Sequence, residues 1–81
     1  MDKIIVANIQ ITPSLTPASS VRVNFKATSP VGVMAETFCE VPFSSTRMSM
    51  RLLMQTAARA ALLAAGDSLA SSREMIVAGD S

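Results

Sequence analysis

Ile and Val dominate residues Lys3 to Ile11, and period-two alternation sorts Ile5, Ala7, Ile9 and Ile11 onto one side and Ile4, Val6, Asn8 and Gln10 onto the other. This predicts a strand over 3–11 with one apolar face and one mixed face. Thr12 to Ser20 holds Pro13, Pro17 and several Ser and Thr, which predicts a loop. Val21 to Thr28 alternates without interruption: Val21, Val23, Phe25 and Ala27 against Arg22, Asn24, Lys26 and Thr28. A second strand over 21–28, buried on one face and wet on the other, follows. A third strand over 33–41 comes after Pro30, Val31 and Gly32, and the loop length decides its register. A two-residue loop would set Phe25 opposite Glu36 and Val21 opposite Glu40. A three-residue loop with Gly32 at positive φ instead pairs Lys26 with Glu36, Arg22 with Glu40, Ala27 with Ala35, Val23 with Cys39 and Val21 with Val41. The second register is favoured because charge then meets opposite charge and apolar meets apolar.

In that register the outer face of the sheet carries Met34 and Phe38 beside Arg22, Lys26, Glu36 and Glu40. Ile4 and Val6 join them from the mixed face of the first strand. Together these four apolar residues form a patch rather than scatter, which reads as a surface covered by the tail, a second subunit or a partner. Pro42 ends the third strand. From Phe43 to Gly66 the chain is Ala-rich and free of internal Gly and Pro, which predicts one helix over about 45–65. Ser44 is the expected N-cap, Phe43 is placed to staple onto Met48, and Gly66 is the stop. At 100° per residue Met50, Leu53, Met54, Ala57, Ala61 and Ala64 form one stripe, while Met48, Leu52 and Leu63 gather on the other side beside Gln55, Thr56 and Arg59. One sheet layer covers one of these faces. The other is left for a subunit or a target.

The tail, residues 67–81, is Ser-rich and then briefly apolar at Met75, Ile76 and Val77. It reads as a loosely held segment that gains order by docking, with a helical turn after Ser68 or an added edge strand at Met75 to Ala78 as alternatives. The fold class is therefore α+β in a single domain spanning 1–81: a three-stranded antiparallel meander, one long helix across its apolar face, and a short tail that can add an edge strand.

Composition narrows the class further. Of the 81 residues 49% are hydrophobic, which excludes disorder throughout, but only three are aromatic, so the core rests on Ile, Val, Leu, Met and Ala. A thin core in a chain this short favours oligomerisation. Seven basic residues against six acidic ones, scattered along the chain, give no bulk attraction to nucleic acid or membrane. Arg47, Arg51 and Arg59 interrupt the longest apolar run, so no membrane span is expected. One Cys and no recognisable leader fit a reducing, cytoplasmic setting.

Catalytic equipment is scarce. The chain has no His and no Tyr, which removes the commonest general acid/base residue. Glu36 and Glu40 lie about 13 Å apart along one strand, too far to share a proton, and each has a cation opposite it. Cys39 alternates onto the core face and reads as a small hydrophobe. One Cys without His makes no zinc site, and three isolated glycines make no phosphate cradle, so neither metal nor cofactor is expected. Arg51, Gln55 and Arg59, spaced by four, form a polar ridge on the helix.

The expected function is accordingly that of a small non-enzymatic protein–protein interaction module acting as a homodimer. Its contacts would come from Met48, Leu52, Leu63, Arg51, Arg59, Ile4, Val6, Met34 and Phe38. Tiny domains of this kind suggest a phage or mobile-element accessory protein that occludes a larger host enzyme or defence complex. Two alternatives belong to other classes: a nucleic-acid binder using Arg22, Lys26, Arg51 and Arg59, and a structural subunit assembled by edge-strand pairing.

Overall fold

The computed structural model describes residues 3–13 and 20–78. Most of the expected Thr12–Ser20 loop and the last three residues of the tail lie outside the described residues. Among the described residues four strands and one helix follow in the order β1 (Lys3–Pro13), β2 (Ser20–Thr28), β3 (Met34–Pro42), α1 (Arg47–Ala65) and β4 (Glu74–Val77), with a short 3-10 turn at Ala70–Ser72 before β4. They make one sheet of order β3-β2-β1-β4, antiparallel except for β4, which runs parallel to β1. The meander-then-helix α+β architecture read from the sequence is thus present, and the tail takes the edge-strand alternative. It does not stay loose: Ile4 pairs with Met75 and Val6 with Val77, and the Ala78 amide donates to the Val6 carbonyl at 2.8 Å.

The hairpin follows the three-residue-loop register in every pair, Lys26–Glu36 and Arg22–Glu40 included. Its turn closes through the Gly32 amide on the Ser29 carbonyl, and Gly32 sits at φ 89°, a conformation an L side chain resists. The Ser29 hydroxyl accepts from the amides of Val31 and Val33, which occupies donors the loop would otherwise leave open.

One feature of β1 overturns part of the sequence reading. Asn8 sits at φ 56°, and the register slips between Ala7–Lys26 and Gln10–Asn24, so Asn8 and Ile9 together oppose Phe25. This β-bulge flips the parity of the strand. Ahead of it the even positions face the helix; beyond it the odd ones do. Ile4 and Val6 are therefore fully buried in the core and take no part in an outer patch with Met34 and Phe38.

The helix also differs in detail from its expectation. Thr46, not Ser44, is the N-cap, with its hydroxyl accepting from the Ser49 amide at 3.1 Å. Two residues of added turn carry the chain round from Pro42, and the shifted cap removes the expected staple: Phe43 and Met48 both stand exposed. At the far end Gly66 takes φ 123°, its amide donates to Leu63, and the Asp67 amide donates to Leu62 in the Schellman manner. Met54, Ala58 and Leu62 are the buried row, with Met50, Ala57 and Ala61 half-buried beside them. Leu53 and Ala64, expected in that stripe, are exposed. The helix is turned because it must cover Ile4, Phe25, Val41 and Met75 at once, and Leu62 reaches further into that space than Ala64 can.

Candidate interaction surface

A 19-residue helix is about 10 Å wide with its side chains, and four strands spaced about 4.8 Å apart are wider than that. Helix α1 runs closest to β3 and the 3-10 turn, so the β1–β4 side of the inner face is covered unevenly. Near the start of β1 the turn closes it, burying Ala70 and Met75 against Ile4. Near the end of β1 nothing equivalent is present among the described residues. Ile9 is 39% exposed and Ile11 60%, above a floor of Val23 and Met54. A groove of about 250 Å³ lies there, bordered by Met50, Arg47, Arg51 and Val77.

Arg47 and Arg51 also border a second trough, of about 590 Å³, on the solvent side of the seam between α1 and β4. Met48 and Leu52 form its helix wall, 75% and 57% exposed, and Glu74 and Met75 its strand wall. Three of the sequence-derived candidates, Met48, Arg51 and Leu52, thus meet in one place. Leu63 is exposed on the same helix more than three turns away. Ile9, Ile11 and Arg47, missed by sequence reasoning, complete the surface. For the two isoleucines the only signal was on the even side, apolar at Ile4 and Val6 and polar at Gln10 and Thr12, with the change at Asn8, a residue type that tolerates the left-handed region.

The ridge of Arg51, Gln55 and Arg59 turns out to be the seam itself. All three are half-buried, and the Arg59 Nε donates to the Arg73 carbonyl at 2.8 Å, immediately ahead of β4. Arg73 in turn forks onto Asp67, Nε to Oδ2 at 2.7 Å and Nη2 to Oδ1 at 3.1 Å. Asp67 is 3% exposed and also accepts from the Leu69 amide. The Arg73 hydrogen bond holds its carboxyl below the usual range against the opposing effect of burial, with the Leu69 amide and the Ser29 hydroxyl adding to it. This polar knot ties the helix end, the hairpin turn and the tail together. It explains why the tail is ordered.

The outer face is of another kind. Arg22 lies over the Phe38 ring, 4.2 Å from its centroid, and reaches Glu40 at 3.5 Å. Met34 is exposed further along the same strand. The wall of polar and charged residues around Phe38, including Asn24, Lys26 and Glu36, marks a solvated sheet face. Arg22 and Lys26 project there, while Arg51 and Arg59 lie on the helix side, so these four cations do not share one surface. Cys39 is half-buried on the inner face, and burial, with the Glu40 carboxylate adding, pushes its thiol up. It stays protonated at neutral pH.

Among the described residues no group of three His, Cys, Asp or Glu converges to hold a metal, and no helix is long and apolar enough to cross a membrane. Comparison with protein-family models, with curated proteins and with solved structures gave no match.

Proposed function

We propose that this chain is a non-enzymatic protein–protein interaction module that acts as a homodimer. The observation that carries the reading is the incompletely covered inner face: one helix over four strands leaves Ile9 and Ile11 exposed beside Arg47 and Arg51, with Met48 and Leu52 across the same two arginines. Exposed apolar area with Met and Arg in it is of the kind enriched at interfaces. Supporting it, three of the carboxylates are paired with cations of the same chain: Asp67 with Arg73, Glu40 with Arg22, and Glu74 with Lys3 at 3.6 Å on the surface.

Sedimentation equilibrium across a wide concentration range tests the reading. A reversible monomer–dimer equilibrium is the expected result. A single species with the 8.5 kDa mass of one chain at every concentration would overturn the dimer.

A further inference from the structure

We propose that the dimer forms through the β1 edge, by antiparallel pairing of residues 8–12 with the same residues of a second copy about a two-fold axis at Gln10. This rests on the homodimer reading and assigns it an interface.

The Ser29 amide donates to the Val33 carbonyl, so the odd residues of β2 turn their hydrogen-bonding groups toward β3 and the even ones toward β1. Gln10 and Thr12 oppose Asn24 and Arg22, and therefore bond to β2. Ile9 and Ile11 then point their N–H and C=O away from β2. On that side, among the described residues, β4 pairs no further than Val6–Val77, while β1 continues to Pro13. Beyond Ala78 the edge carries two outward-facing residues and no charged side chain from 8 to 12.

Pairing two such edges about Gln10 sets Ile9 opposite Ile11 of the partner subunit, twice. Each pair exchanges two backbone hydrogen bonds, and all four isoleucines fall on the helix side, where they cover the groove floored by Val23 and Met54. Gln10 meets its own copy on the outer face, amide against amide. Apolar meets apolar, polar meets polar, and no like charges are opposed. The other open edge lacks this property. The equivalent pairing of β3 about Phe38 would set Glu36 against Glu40 of the partner subunit, and Pro42 closes that strand, the usual protections of an edge.

The register makes the test specific. Opposed residues of a pair that is not hydrogen-bonded have Cβ atoms about 4.5–5.5 Å apart, close enough for a disulfide after slight adjustment. In a Cys39→Ser background, Gln10→Cys is expected to form a covalent dimer on mild oxidation, while Thr56→Cys on the exposed helix face forms no cross-link. Ile11→Pro removes one outward N–H without touching the β1–β2 ladder and is expected to abolish the dimer with the circular dichroism spectrum unchanged; Ile11→Lys should do the same by charge. A wild-type dimer that survives both substitutions, fails to cross-link through Gln10→Cys and dissociates on Leu52→Glu would overturn this interface while leaving the dimer intact. A wild-type monomer whose Ile9 and Ile11 amides resist hydrogen exchange would show the chain covering its own edge, and would overturn both readings.

Discussion

Asn8 holds φ 56°, in the left-handed region where a side chain other than Asn, Asp or Gly is strained. The whole inner face of β1 depends on this one residue, because the extra position at the bulge lets Ile4 and Val6 on one side and Ile9 and Ile11 on the other point toward the helix. Asn8→Val should destabilise the fold by about 1–2 kcal/mol, whereas Asn8→Gly should be near neutral. Urea unfolding midpoints of the two variants check this. If Val is tolerated as well as Gly, the bulge does not carry the strain argued for it. Asp67 matters in a different way. Its carboxyl is held below its ordinary value of 3.8 chiefly by the Arg73 hydrogen bond, so ionisation favours the folded state. That contribution is complete above the unfolded value and is lost as pH falls below it through the folded value. Stability should therefore drop below about pH 4. In Asp67→Asn the fold should be weaker at neutral pH and its acid limb shallower, which urea midpoints measured from pH 7 down to pH 2 will show.

At the scale of elements, the hairpin was legible in full and the helix only in outline. Charge and apolar pairs in β2 and β3 select a single register, and Gly32 permits the turn that register needs. Alternation in an unbulged strand is a two-way choice, so a few residues suffice to settle it. A helix offers a continuum of rotations, and an Ala-rich one has a weak preference among them, so its buried row was displaced from Leu53 and Ala64 to Ala58 and Leu62 by what the sheet presents. Adjacent leucines at the end of α1 test this orientation. Leu62→Ala should cost about 2–5 kcal/mol, the range for emptying a core site. Leu63→Ala, on the exposed side, should change stability by about 0.5 kcal/mol or less. Equal losses at the two positions in chemical denaturation would place the helix in another rotation. For the tail the sequence offered a turn after Ser68 and an edge strand at Met75 to Ala78 only as alternatives to a loose segment; both form, because parallel pairing with β1 follows the crossing by α1 and the Asp67–Arg73–Arg59 knot, contacts between residues without any local pattern.

At the scale of the whole molecule, a single helix layer over a four-stranded sheet is an unequal match, and the uncovered part falls at the end of β1. Ile9 and Ile11 lie there beside Arg47 and Arg51, and Met48 and Leu52, read from the sequence together with Arg51, stand across the same two arginines in the trough walled by Glu74 and Met75; Ile4 and Val6 went to the core instead, and Leu63, Met34 and Phe38 lie elsewhere on the surface. A fold completed by a second copy is stabilised by mass action. The midpoint of thermal unfolding should accordingly rise with protein concentration, and the rise should vanish in Ile11→Pro. A midpoint independent of concentration in the wild type would contradict the dimer.

The sequence by itself determined the class of the fold, the hairpin register and the span of the helix, because each follows from contacts between near neighbours or from periodicities of two and 3.6 residues. Tertiary structure decided which side of β1 is inner, which row of α1 is buried, and that the tail becomes β4. Each of these turns on residues distant in the chain meeting in space. The bulge at Asn8 is where the two kinds of information meet: a single left-handed residue, locally permitted, reverses the faces of a strand, and only packing against α1 and β4 gives that reversal its meaning.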